Sequence, residues 1–414
     1  MANDDQNSLL AALRLAHARH VGPVTFRKLV RVFGSPEAVL AAPRERLLEV
    51  PDIHVRAADG VAEARQDPWA EEELARARAR GVTLLALGHP SYPRALLSTY
   101  DPPAVLYVHG ELVAEDALAI AMVGTRHCSH YGRSQAEKLA AGLALAGFTV
   151  ISGLARGIDA AAHAGALSVT NGRTLAVLGN GIGVVYPPDN KKLYERIVPA
   201  RGAALSELPL DTQPDGAHFP RRNRIIAGMA LGTVVVEGPE SSGALITARY
   251  AVDMDREVFA VPGSVDSPNS RGPHRLIKAG AKLVEDVEDI LDELREVIEP
   301  LVKVRQPDAR LRIPSAKAVA GGGSATPLLD AVSAGSAKDS APPEPRPCAT
   351  DLRALNLNPR EKQVYSLLDQ NTARHVDELI VQSGLQAQEI LATLLVLEVR
   401  RLCRQLPGKR YVKA

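Results

Sequence analysis

Apolar positions in the first 85 residues recur at helical spacing. Leu9, Leu10, Leu13 and Ala16 form one stripe, and Phe26, Leu29, Val30 and Phe33 form a second. Between them His20-Val-Gly-Pro23 breaks the pattern and predicts a turn joining two helices. Gly34-Ser-Pro36 stops the second helix and leaves Ser35 or a neighbour to cap the next. Two uses are open for this stretch: a module that docks on a DNA backbone or a protein, or a helical cap on the domain that follows.

From residue 119 to about 290 the pattern changes. Leu118–Val123, Phe148–Ile151, Thr174–Leu178, Thr233–Val236 and Val258–Val261 are continuous apolar runs. Runs of this kind, without alternation, predict buried strands of a mostly parallel sheet covered on both faces. Amphipathic segments such as Tyr131–Ala146 and Asp159–Ser168 lie between them. This βαβα order predicts an α/β, Rossmann-like, doubly wound sheet with right-handed crossovers. Residues 300 to about 355 are rich in Ala, Gly, Ser and Pro, with Gly321-Gly-Gly-Ser324 and Ala341-Pro-Pro-Glu-Pro-Arg-Pro347, and read as a flexible linker. Helical patterns then return over Pro359–Leu368, Val376–Ser383 and Ala387–Val399, followed by a hairpin turning at Pro407-Gly408. The expected divisions are therefore 1–85, a small helical domain resembling SAM or helix-hairpin-helix modules; 86–298, the Rossmann-like domain; 299–355, the linker; and 356–414, a winged helix.

Composition narrows the options. The 414 residues are 46% apolar, which supplies a sizeable core, and only 4% aromatic, which weighs against a dense base-stacking platform. Net charge is +1, so attraction to phosphate must be local. Cys128, Cys348 and Cys403 are far apart, suggesting neither a zinc cage nor a disulfide framework. The first residues hold no basic region followed by an apolar one, and no apolar run reaches the ~18 residues of a membrane span. A reducing cytoplasm is the expected compartment.

The chemistry concentrates where strands end. Val123-Gly124-Thr125-Arg126, Ile151-Ser152-Gly153, Leu178-Gly179, Val236-Glu237-Gly238 and Val261-Pro262-Gly263 all place glycine or a small residue there. Ligands of open α/β sheets bind beyond these strand ends, where glycine lets backbone N–H groups approach an anion. Arg126 follows the first strand, and Arg156 and Gly157 lie in the loop after the second. Arg221, Arg222, Asn223 and Arg224 follow Phe219-Pro220, and Lys278 precedes Ala279-Gly280. If a helix starts near Arg221, Arg221 and Arg224 share a face. Residues 119–290 hold 18 Lys and Arg against 17 Asp and Glu, so the basic character is clustered, not diffuse.

Other motifs fail. Gly179-Asn-Gly-Ile-Gly183 has its third glycine one residue early for a dinucleotide fingerprint, and Val184-Val-Tyr-Pro-Pro188 follows where a helix should. No phosphate-binding P-loop and no Gly-x-Ser-x-Gly elbow occurs, so no cofactor and no hydrolase nucleophile is expected. Asp159 and His163 sit four apart on one helix face, but with no third ligand they read as a helix-start carboxylate and a hydrogen-bonded histidine, with no metal.

Together Val123-Gly-Thr-Arg126 with Ser129 and Tyr131-Gly132, Ser152-Gly-Leu-Ala-Arg-Gly-Ile-Asp-Ala-Ala-Ala-His163, Phe219-Pro-Arg-Arg-Asn-Arg-Ile-Ile-Ala-Gly228, Val234–Glu237, Ser242-Gly-Ala-Leu-Ile-Thr-Ala248 and Val258–Gly263 resemble the DprA/Smf family of DNA-processing proteins. Tyr92-Pro93 and Asp101-Pro-Pro103 fit as well, so the resemblance covers roughly residues 85 to 290. It implies a mediator of natural transformation and recombination that binds single-stranded DNA, shields it and loads RecA. It also implies a homodimer formed through the Rossmann-like domain, with no established catalytic activity. The DNA-binding residues it implies, with the residues read above, are Gly124, Thr125, Arg126, Ser152, Gly153, Arg156, Gly157, Arg221, Arg222, Asn223, Arg224, Ser242, Thr247, His274 and Lys278. His274 departs from the family, which usually carries asparagine at this place.

The alternative is an enzyme cleaving nucleotide N-glycosidic bonds, with Arg126 or Arg222 and Glu237 recruited to the task. Glu237 lacks the Gly-Gly-x-Gly-Thr frame expected of such enzymes, and no other acid–base pair is evident. In the last 59 residues, 9 basic side chains stand against 6 acidic. The third helix offers Gln386, Gln388, Glu389 and Thr393, while Arg400, Arg401, Arg404, Lys409, Arg410 and Lys413 lie in the wing. Weak wing-to-phosphate contact or partner docking is expected there, not groove readout.

Overall fold

The computed structural model describes residues 2–298 except 201, and 357–413 except 370, 371, 373, 386, 400, 401 and 407–409. The expected linker lies outside the described residues, as do the hairpin tip and the wing residues Arg400, Arg401 and Lys409.

Six helices open the chain: α1 (Ala2–His17), α2 (Pro23–Phe33), α3 (Pro36–Ala41), α4 (Arg44–Leu48), α5 (Val55–Ala64) and α6 (Trp69–Ala79). Their boundaries follow the punctuation in the sequence. Pro23 occupies the first turn of α2, Gly34 ends it at φ 92°, and Ser35 caps α3 by accepting from Ala38 N at 3.2 Å. These helices share one apolar core with the sheet: Leu13, Leu29, Leu47, Val61 and Leu74 cluster with Val82, Tyr107, Ala176 and Ala204. The first strand, β1 (Val82–Ala86), itself spans the expected division at residue 85.

The chain continues through α7 (Arg94–Leu97), β2 (Val105–Gly110), β3 (Ala119–Val123), α8 (His130–Leu145), β4 (Thr149–Ser152), α9 (Ile158–Ala166), β5 (Arg173–Val177), α10 (Lys191–Ile197) and β6 (Ala203–Ser206). It then runs through α11 (His218–Met229), β7 (Gly232–Val235), α12 (Gly243–Asp253), β8 (Glu257–Ala260), α13 (Arg271–Lys278), β9 (Lys282–Leu283) and α14 (Val287–Glu293). The nine strands form one sheet in the order β1-β2-β6-β5-β4-β3-β7-β8-β9. The seven from β6 to β9 are parallel, and β1 and β2 add an antiparallel edge. The fold is therefore the expected doubly wound α/β sheet. The two antiparallel strands, β6 and the short β9 are additions to the five strands expected.

The sheet's direction of growth reverses at β3. Strands β4, β5 and β6 are laid down on one side of it, and β7, β8 and β9 on the other. Helix α11 makes the return, packing Ile225, Ile226, Ala227 and Met229 on one face, while α8 and α9 cover the other. A crevice at the strand C-termini follows from this topology.

The C-terminal residues form α15 (Pro359–Leu367), β10 (Arg374–His375), α16 (Val376–Ser383), α17 (Ala387–Val399), β11 (Cys403–Leu406) and β12 (Arg410–Lys413). Val364, Leu379, Ile390, Leu394 and Tyr411 make their core, and the strands pair antiparallel as β10-β12-β11. Three helices and a hairpin give a winged helix, as expected.

Candidate nucleic-acid interface

Beyond β4 the chain turns through Gly153–Gly157, with Leu154 at φ 56° and Gly157 at φ 78°. Asp159, in the first turn of α9, holds this loop: Oδ2 accepts Gly153 N at 3.1 Å and Ala155 N at 3.3 Å. Burial pushes the Asp159 carboxyl up, against the pull of Arg222 and the two N–H groups. Arg222 comes from α11 and is only 5% exposed. Its Nη1 donates to Gly153 O at 2.8 Å and to Val177 O, so the guanidinium bridges the ends of β4 and β5. Among the described residues its Nε has no hydrogen-bond partner. Burial lowers the guanidinium pKa to about 10, partly offset by Asp159, and it stays charged at neutral pH.

Above this floor opens a shallow cleft lined by Arg126, Arg156, Arg222, Tyr186, Phe219 and neighbouring backbone. The rings of Tyr186 and Phe219 lie 5.8 Å apart at 31°. The Arg126 guanidinium sits 5.4 Å from the Phe219 centroid, where the ring's quadrupole attracts a cation. Arg156 is exposed, with Nε on Asp189 Oδ2 at 2.6 Å. Three arginines from three chain segments thus meet one aromatic pair.

The expected site residues separate into groups. Arg126, Gly153, Arg156 and Arg222 come together in the cleft. Gly124, Thr125 and Gly157 form its backbone support: Thr125 N donates to Glu237 O at 2.7 Å, and Thr125 O accepts Ile158 N at 3.2 Å. Arg221 and Lys278 are exposed and make no ion pair among the described residues. Asn223 ties α11 to α12 through Nδ2 to Gly243 O at 3.3 Å, and Ser242 caps α12, accepting from Ala244 N at 3.3 Å.

Other expected contacts are turned inward or engaged within the protein. Ser152 is fully buried and donates to Met122 O at 2.6 Å. Thr247 is 1% exposed. Arg224 is 3% exposed and held by Asp101 at 2.7 Å and Glu207 at 2.6 Å. The helix starts at His218, not Arg221, and Arg221 faces out while Arg224 faces in. The His274 ring is tied to Gly263 O through Nε2 at 3.1 Å.

Glu237 is also occupied. It is 3% exposed, and its carboxylate accepts Ser129 N at 2.8 Å and Ser129 Oγ at 2.5 Å at the start of α8. Among the described residues it does not line the cleft, so it is not placed to act with Arg126 and Arg222 there in glycosidic chemistry. His163 is buried with Nδ1 2.7 Å from Thr174 Oγ1. Because that hydroxyl donates to Val150 O at 2.6 Å, the imidazole carries its proton on Nδ1.

Neither Tyr186 nor Phe219 stands out as a ligand in the sequence. Tyr186 lies in the segment that disqualified the dinucleotide fingerprint. The available signal was Tyr186-Pro-Pro188 after a strand-end glycine, where a helix start was due.

Fold and site together define a Rossmann-like protein with a basic, aromatic-walled cleft at its switch point, flanked by helical and winged-helix modules. Three family models match the chain: "DNA recombination-mediator protein A" over residues 83–295, "DprA-like N-terminal HHH domain" over 6–75, and "DprA winged helix domain" over 341–409. Protein Smf of Synechocystis is 33% identical over 99% of both chains. DNA processing protein DprA of Bacillus subtilis is 42% identical over 52% of this chain and 73% of its own. The crystal structure of DprA from Streptococcus pneumoniae superposes with a TM-score of 0.61 at 32% identity, covering 69% of this chain and 97% of that one. The chain belongs to the DprA/Smf family of DNA-processing proteins.

Proposed function

We propose that the cleft takes up single-stranded DNA. The chain then acts as a recombination mediator in natural transformation and DNA repair, sheltering the strand and loading the recombinase RecA onto it. The carrying observation is the convergence of Arg126, Arg156 and Arg222 with the Tyr186–Phe219 pair on one open cleft. Arginines meet phosphates, and an aromatic face accepts any base, so the pairing suits a strand bound without regard to sequence. Arg221, exposed beside Arg222 on α11, adds a basic group there, and Lys278 is a further exposed lysine. Membership in a recombination-mediator family supports the same reading.

In this reading the protein is a binder and not an enzyme, works in the cytoplasm without a cofactor, and pairs with a second copy through its Rossmann-like domain. Among the described residues no helix is long and apolar enough to cross a membrane. The test is a titration of labelled oligo-dT and of duplex of equal length, at several salt concentrations, with wild type and Arg126→Ala/Phe219→Ala. Single-strand preference, steep salt dependence and loss in the variant are expected. Equal affinity of wild type and variant overturns the reading.

A further inference from the structure

Helix α6 lies outside the cleft, yet it grips the loop that carries the cleft's aromatic wall. Glu73, on α6, is fully buried, an unusual place for a carboxylate without compensation. Its Oε1 accepts Leu210 N at 2.7 Å, and its Oε2 pairs with Arg76. Arg76, on the same helix, and Arg80, its C-cap residue, each take one oxygen of Asp211, at 2.8 and 2.6 Å. Three side chains of α6 and its C-cap therefore fix the two residues Leu210-Asp211.

Leu210 and the neighbouring Thr212 in turn hold the Gly179–Val184 loop by backbone bonds. Gly183 N donates to Leu210 O at 2.8 Å and Gly181 N to Thr212 O at 2.9 Å. A Cβ on Gly183 would meet the Arg80 guanidinium and Asp211 Oδ1, so glycine here is what lets the loop sit against the clasp. Inside the loop Asn180 Nδ2 closes on Val184 O at 2.5 Å, and Ser206 Oγ holds Asn180 O at 2.8 Å. Two residues later comes Tyr186, whose ring stands beside Phe219.

We infer that Glu73, Arg76, Arg80 and Asp211 are positioning residues for single-strand binding: the N-terminal helical domain sets the Tyr186 wall of the cleft through this clasp. None of the four lines the cleft, so they act only through the loop. The inference rests on the cleft being the single-strand site. It also carries a reciprocal consequence, because coupling between two places works in both directions: strand binding tightens the clasp.

The experiment is a double-mutant cycle on the full chain, read as affinity for labelled oligo-dT. Asp211→Ala and Tyr186→Ala are each expected to weaken binding about five- to tenfold. In the Tyr186→Ala background, Asp211→Ala is expected to change nothing further, and the salt slope stays that of wild type because no phosphate contact is lost. Arg80→Ala, which leaves Asp211 one arginine, is the milder variant if Asp211→Ala does not fold, as judged by its melting curve. Hydrogen exchange at Gly181, Gly183 and Leu210 is expected to slow when oligo-dT is added. If Tyr186→Ala and Phe219→Ala leave affinity unchanged, the single-strand reading itself fails. If they weaken binding but Asp211→Ala and Arg80→Ala do not, or if the effects simply add, the clasp is overturned while the cleft stands.

Discussion

Arg222 Nη1 lies 2.8 Å from the carbonyl oxygen of Gly153, in space that a Cβ on residue 153 would occupy. The strand-end glycine therefore makes room for a buried cation, not for an incoming anion directly. Gly153→Ala is expected to displace the guanidinium, lowering stability by about 1–3 kcal/mol and weakening oligo-dT binding. Urea unfolding and a fluorescence-anisotropy titration check the two effects. Wild-type values in both would show that the position tolerates a side chain.

Phe219 carries the stacking contribution. Phe219→Ala is expected to lose about 1–3 kcal/mol of single-strand affinity with little change in the salt slope, and Phe219→Trp to keep most of it. Titrations at four or more salt concentrations separate the affinity change from the slope.

Arg126 behaves in the opposite way. It is exposed and makes no ion pair among the described residues, so its charge is available to a phosphate. Arg126→Ala is expected to reduce the slope of log affinity against log salt by about 0.7. An unchanged slope would remove Arg126 from the phosphate contacts.

Arg221 and Arg224, three residues apart, should have contrasting phenotypes. Arg224→Met leaves Asp101 and Glu207 facing each other without their cation, at a loss of about 3–5 kcal/mol of stability. Arg221→Ala should stay within about 0.5 kcal/mol of wild type. Thermal melting of the two variants side by side decides this.

His163 predicts an acid limb of stability. Burial, with the Arg222 charge adding to it, pulls the imidazole pKa from 6.5 to about 3. The unfolded chain takes up this proton below 6.5 and the native chain does not, so stability is complete above pH 6.5 and falls as pH drops toward 3. The slope is at most about 1.4 kcal/mol per pH unit. Asp159, whose pKa is raised, contributes with the opposite sign, losing its stabilisation as pH rises above 3.8. The difference between wild type and His163→Gln, followed from pH 7 to 4, cancels the Asp159 contribution. Parallel curves would refute the assignment.

The parallel strands were legible because Ala119–Val123 and its fellows are apolar throughout, which only a sheet covered on both faces requires. Strands β1 and β2 were not, because their pairing partner is set by the helical domain packed over Tyr107 and not by any local pattern. The cleft was half legible. Strand-end glycines marked where Arg126 and Arg156 would stand. The inward turn of Arg224 depended on Asp101 and Glu207, 123 and 17 residues away, and no spacing in the sequence announces such pairs. Tyr186 was hidden for a similar reason: the Gly179–Val184 loop that precedes it is bonded to Leu210 and Thr212, well along the chain.

Arg222 is sunk between two strand ends at the floor of the cleft. A charge so recessed is reached only by a partner that can bend its own chain locally and push one unit inward. On the proposed single-strand reading, a duplex, which keeps its direction over roughly 150 base pairs, is too stiff to carry a phosphate down to it. A single strand swivels at every nucleotide. On that reading, depth of charge sorts polymers by stiffness, with no need to recognise how many strands they have.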